Sequence, residues 1–159
     1  MPAYILDRSH GPAVKDGRQR LTLQPVRGAV AARYDHADLG GTVYLDLARK
    51  GDKPRERAGV RSCILRARVT ITAEALVRVA DVRFHERGPQ ATQAERLARF
   101  LQAAEQGRPS ADRLARDAVA RLCGFRNWTA LWNWNSHFDR SGRPDEAGQV
   151  TREVIGWAA

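Results

Sequence analysis

Across Arg61–Thr72, RSCILRARVTIT, apolar and polar side chains alternate in part, regularly from Leu65 onward. That period fits an extended strand with one dry face and one largely wet face. Cys63, Leu65, Ala67, Val69 and Ile71 fall on the core face, and Ser62, Ile64, Arg66, Arg68 and Thr70 on the other. A strand of this kind needs partners. TVYLDLA, Thr42–Ala48, offers one, bounded by Gly40-Gly41 and by the charge-rich segment Arg49–Gly59, which reads as a long basic loop. LVRVADVRF, Leu76–Phe84, reads as a further strand, with Val77, Val79, Asp81 and Arg83 on one face, although a helix beginning at Thr72 competes for the same residues. QVTREVIGWA reads as a closing strand.

From Thr92 the period becomes helical. Thr92 and Glu95 are spaced as a capping box, with Leu97, Phe100, Leu101 and Ala104 following at helical intervals up to Gly107. Ser110 is placed to cap a second helix carrying Leu114, Ala118 and Leu122, and Asn127 a third that runs through Phe138. The order of strands, helices and a final strand is that of an α+β protein. One domain over 1–159, with a helical insert at about 90–123, accommodates it.

The chain carries 27 Arg and Lys, only three of them Lys, against 18 Asp and Glu, a net charge of +9 over 159 residues. A GC-rich bacterial or phage genome accounts for Arg over Lys but not for base over acid. That excess favours anionic partners, nucleic acid foremost. Residues 1–72 hold 14 basic and 7 acidic side chains, so most of the excess belongs to the first half. Cys63 and Cys123 stand alone, and His10, His36, His85 and His137 have no metal-ligand spacing, so reduced thiols, no metal and no cofactor are expected. There is no signal-like segment and no run near the ~18 apolar residues a bilayer requires, so the expectation is a cytoplasmic protein without a membrane partner.

The run DAVARLCGFRNWTALWNWNSHF followed by VTREVIGW resembles the C-terminal signature of the ASCH family. The matching positions are Asp117-Ala118, Gly124-Phe125, Trp128, Trp132 and Ile155-Gly156-Trp157. KDGRQRLTLQP, Lys15–Pro25, lies where that family has a Gly-x-Lys-x-x-Thr-x-Arg element, and LGGTVYLDL, Leu39–Leu47, where it has Gly-Asp-x-Leu-Tyr-Val-Arg-Glu. Gly17, Thr22, Gly40 and Tyr44 agree, whereas Gln19 replaces the Lys, Gln24 the Arg, and Asp46-Leu47 the Arg-Glu pair. The resemblance implies an α+β, PUA-like fold, a small bent β-barrel with flanking helices. It also implies association with RNA, while other branches resemble an acetylcytidine amidohydrolase or a nuclease.

On these grounds the expected activity is RNA or single-stranded nucleic-acid binding without catalysis, of undetermined oligomeric state. The cleft would be formed by Lys15–Gln24 and the Arg49–Arg68 region, where eight basic residues face two acidic ones. Arg18, Arg20, Arg55, Arg57 and Arg61 would meet phosphates, a base would enter near Thr22 and Tyr44, and Gln19 and Gln24 would read base edges. The alternative is an RNA-processing hydrolase, a ribonuclease or a modified-nucleoside amidohydrolase. No catalytic residue is assigned: an amide at Gln19 is no base, and Lys15 and Glu74 are off the expected spacing. A protein-interaction adaptor is a third class.

Three tryptophans fall within the stretch Trp128–Trp134. Trp128, Leu131 and Trp132 share a helical face that reads as core, while Trp134 lies about 200° around the helix from Trp132. It reads as a second packed layer over the terminal strand and Trp157; the alternative is a stacking platform for a base.

Overall fold

The computed structural model describes residues 2–26, 37–106, 109–137 and 144–159, with the backbone alone for 109–114 and 137. Among the described residues, six strands and four α-helices follow one another as β1 (Ala3–Leu6), α1 (Gly11–Lys15), β2 (Leu21–Pro25), β3 (Thr42–Leu47), β4 (Arg57–Ile71), β5 (Leu76–Phe84), α2 (Ala91–Glu105), α3 (Pro109–Leu122), α4 (Trp128–His137) and β6 (Val150–Trp157). A 3-10 turn at Arg8–His10 leads into α1. The architecture is mixed α+β. His36, Gly107, Phe138, Asp139 and the side chains of Ser110, Leu114 and His137 lie outside the described residues.

The long alternating strand organises the sheet. Arg57–Ser62 of β4 pairs with β3, Leu65–Ile71 pairs with β5, and β6 runs antiparallel along Cys63–Ile71. Since β5 and β6 claim the same stretch of β4, they occupy opposite edges of it. β1 adds parallel to β3 and β2 adds antiparallel to β6, giving the order β1-β3-β4-β6-β2 with β5 beside β4.

The expected small barrel is not closed. Where β1 and β2 approach, a side chain bridges them: Gln24 Nε2 donates to the Ile5 carbonyl at 3.2 Å. Both edge strands are short, and Pro25 has no N–H to contribute to a ladder.

Two cores follow from the two faces. Leu65, Val69, Leu97, Leu101, Leu131 and Val154 pack between the sheet and the helices, while Tyr4, Val43, Leu45, Cys63, Ile155 and Trp157 fill the opposite side. Strand β6 therefore buries both faces from Arg152 to Trp157, enclosing the charged Arg152 and Glu153 along with its apolar residues. The core face expected for β4 is buried throughout, and Ile64, on the face expected to be wet, is buried as well.

Three local expectations are corrected. Strand β4 begins at Arg57, so the end of the basic segment is sheet, not loop. Helix α2 starts at Ala91 after Gln90, which makes no side-chain cap; no capping box forms, and Glu95 pairs with Arg99 instead. In β5 strict alternation fails because the register slips twice against β4. Asp81, with φ of 53°, sits in one of the slips. Bulges of this kind move following residues to the other face, so Leu76, Val79, Val82 and Phe84 all reach the helix-side core.

Helix α4 is fixed at its start by two side chains. Asn127 Oδ1 accepts from the Ala130 N–H at 3.0 Å and Asp117 Oδ1 from the Trp128 N–H at 2.9 Å, satisfying donors that a helix start leaves open. Trp128 is buried with its indole N–H on the Thr72 carbonyl, and Leu131 beside it is fully enclosed. Trp132 packs partly buried against the same core. Among the described residues, no helix is long and apolar enough to cross a membrane.

Candidate nucleic-acid interface

The residues of the Lys15–Gln24 element do not share one exposure. Arg18 is exposed, with Nε on Asp16 Oδ2 at 2.7 Å, and this hydrogen bond holds the Asp16 carboxyl below its usual range. Gln19 is fully buried and donates Nε2 to the Leu21 carbonyl. Arg20 is half-buried against the Gly17 carbonyl. Thr22 is buried, and its hydroxyl accepts from Gln24 Nε2 at 2.9 Å. Thr22 and Gln24 are thus joined, while Gln19 turns inward.

In the β3–β4 hairpin, the Arg57 guanidinium lies 4.2 Å from the centre of the half-buried Tyr44 ring and bonds Asp46 Oδ1 at 3.0 Å. That hydrogen bond raises the Arg57 pKa. Arg61 is half-buried, with Nη2 on the Val14 carbonyl at 3.0 Å, and Arg55 is exposed. Arg57 and Arg61 therefore also tie the hairpin to itself and to α1.

A second group of cations, not singled out from the sequence, gathers on the sheet. Gln24, Glu153 and Arg68 are successive cross-strand partners on β2, β6 and β4, and Arg66 pairs with Arg83 on β5. A cleft of about 490 Å³ opens among Arg66, Arg68, Arg83, Asp81 and Glu153. Glu153 is buried, 3.7 Å from Arg66 and 4.0 Å from Arg68 at the nearest ion-pair atoms. Arg68 remains about half exposed at its side chain, 47%, so its charge reaches solvent. In the sequence its residues stand as two arginines on one face of β4 and a carboxylate in β6, with no spacing that joins them.

A third cluster forms where the 3-10 turn meets the segment before α4. Gly124 takes φ of +88° there, and a Cβ on it would lie 2.4 Å from Gln19 Oε1 and 2.9 Å from His10 Nδ1. Glycine is required on both counts. The His10 imidazole meets Phe125 edge-on at 4.6 Å, and Phe125 lies 6.4 Å from the half-buried Trp134. Phe125 is thus a ring neighbour of Trp134, while Trp157 is fully buried in the core on the opposite side of the sheet. Burial lowers the His10 pKa, with Asp7 acting against that shift.

Both thiols are buried and pushed up by burial, Cys63 to about 11 and Cys123 to about 12, which leaves them protonated and unreactive at neutral pH. Among the described residues, no three His, Cys, Asp or Glu side chains form a group that would hold a metal. Compared with protein-family models, curated proteins and solved structures, the chain matches none.

Proposed function

We propose that this chain is an ASCH-like, PUA-like module that binds single-stranded nucleic acid, RNA in the first instance. The observation that carries the reading is the convergence of Arg66, Arg68 and Arg83 from neighbouring strands on one cleft. Arginine forks suit phosphate oxygens, and Glu153 beneath them restrains two of the guanidinium groups. Exposed Arg55 and the Tyr44–Arg57 pair extend the same chemistry to the β3–β4 hairpin. The near approach of β1 and β2 through Gln24 and the helix cap made by Asp117 support the ASCH-like reading.

Hydrolysis of RNA or of a modified nucleoside is the second reading, favoured by the placement of the Thr22–Gln24 pair beside Glu153. Against it, Gln19, where the resemblance places a lysine, is an amide sealed inside the protein.

Incubation with labelled single-stranded RNA over a range of salt concentrations tests both readings through the bound fraction and the integrity of the strand. Replacing Arg68 and Arg83 together by Gln is expected to weaken binding across sequences and to flatten the log K against log[salt] slope by about 1.4, or ~0.7 for each lost contact. An unchanged slope removes the cleft from the binding surface. Cleaved RNA selects the hydrolase.

A further inference from the structure

We infer that the cleft beside His10 is a separate site for the base of a nucleotide. It encloses about 660 Å³, within the range of small-molecule sites. Phe125, Ala130 and Trp134 form its apolar wall, and Arg126 and Asn133 contribute polar groups. None of its lining residues is shared with the arginine cleft on the sheet.

Two observations point to a ligand rather than to ordinary packing. His10 lines the cleft although only 3% of its surface is exposed, and its Nδ1 has no hydrogen-bond partner. Gln19 Oε1, fully buried behind it, also has none. Both atoms lie beside Gly124, each within 3 Å of the point where that residue's Cβ would stand. A core that served packing alone would not retain two unsatisfied polar atoms at one place. A cleft wall that carries an imidazole with an unsatisfied nitrogen keeps a hydrogen-bonding group for a ligand.

The chemistry selects the ligand class. An indole and a phenyl ring suit a flat heteroaromatic system, an uncharged imidazole suits hydrogen-bonding edges on that ring, and exposed Arg126 suits a phosphate. A nucleoside monophosphate combines all three, either free or as a nucleotide of a strand. The site does not depend on strand binding by the arginine cleft.

Equilibrium dialysis of the full chain with AMP, GMP, CMP and UMP tests the inference, with ribose 5-phosphate and inorganic phosphate as base-free controls. At least one mononucleotide is expected to bind better than both controls. Trp134→Ala should weaken it by roughly tenfold to a hundredfold, the loss of one stacked base. Arg126→Ala, at an exposed position, should weaken the monophosphate while leaving the matching nucleoside unaffected, and it guards against a Trp134 variant that fails to fold. Equal binding of ribose 5-phosphate, absence of binding at millimolar concentrations, or full affinity in Trp134→Ala and Arg126→Ala would overturn the site. A competing oligonucleotide distinguishes a strand's base from a free nucleotide as the occupant. The Arg68→Gln, Arg83→Gln double variant should retain mononucleotide binding. Strand binding without mononucleotide binding would sink this inference alone, and the reverse would sink the arginine cleft alone.

Discussion

The arginine cleft and the aromatic cleft solve the same problem by different physics. Each brings polar groups out of water at the edge of a core. On the sheet, Glu153 is buried at 3% exposure and answered by the charges of Arg66 and Arg68. Beside His10 two polar groups, the imidazole and the Gln19 amide, are brought close over a glycine. A charge balance resists removal of either partner, whereas a steric fit resists added atoms. The comparison teaches that opposite substitutions should damage the two sites.

The largest effect is expected where charge is removed. Glu153→Gln keeps the shape and removes the carboxylate charge 3.7 Å from Arg66, whose side chain is only 14% exposed. Breaking a buried pair in this way costs about 3–5 kcal/mol, and the partial exposure of Arg68 places the expectation at the lower end. Denaturant unfolding checks it. Adding Arg66→Met to Glu153→Gln should recover part of the loss, because the stranded charge is then gone. A single variant within about 0.5 kcal/mol of wild type would show that the pair balances nothing, and the contrast between the clefts would fall.

Much of this arrangement was legible in the sequence, for reasons tied to particular residues. The core face of β4 and the span of β5 followed from alternation, and Asn127 announced α4 as a cap. Strands β1 and β2 escaped notice because four or five residues are too few to establish a period. One of the two bulges in β5 falls at the positive φ of Asp81, a residue whose type does not demand it. Neither cleft could be read from spacing, since Arg66, Arg83 and Glu153 meet only through strand pairing, and His10 meets Gly124 only after the chain has folded back. Trp134 shows the boundary: periodicity excluded it from the Trp128 face but said nothing of Phe125 as its neighbour.

Added atoms should be the sharper probe beside His10. Gly124→Ala places a methyl group 2.4 Å from Gln19 Oε1 at a backbone φ of +88°, so the glutamine must move and the backbone is strained together. A loss of about 1–3 kcal/mol is expected, read as a lower denaturation midpoint at constant m-value. Pairing Gly124→Ala with Gln19→Ala should restore much of it if the clash is the cause, leaving only the cost of the positive φ. Undiminished stability in Gly124→Ala would mean that the close approach constrains nothing.

The smallest effect is electrostatic and lies on the neutral side of the comparison. Burial lowers the His10 pKa from its ordinary value of 6.5, and the attraction of Asp7 is the weaker, opposing influence. Between the two pKa values the unfolded chain therefore binds a proton that the folded chain does not, and stability increases with pH there. The contribution is complete above about pH 6.5 and is lost as pH falls through the depressed folded value. Subtracting the stability of a His10→Gln variant from that of wild type at each pH isolates it, because other titrating groups cancel. The difference should decline toward acid with a slope no steeper than about 1.4 kcal/mol per pH unit, one proton's worth. A difference that instead grows toward acid would mean that Asp7 outweighs burial and that the folded protein favours a charged imidazole, which would give the aromatic cleft the same charge-balanced logic as the arginine cleft.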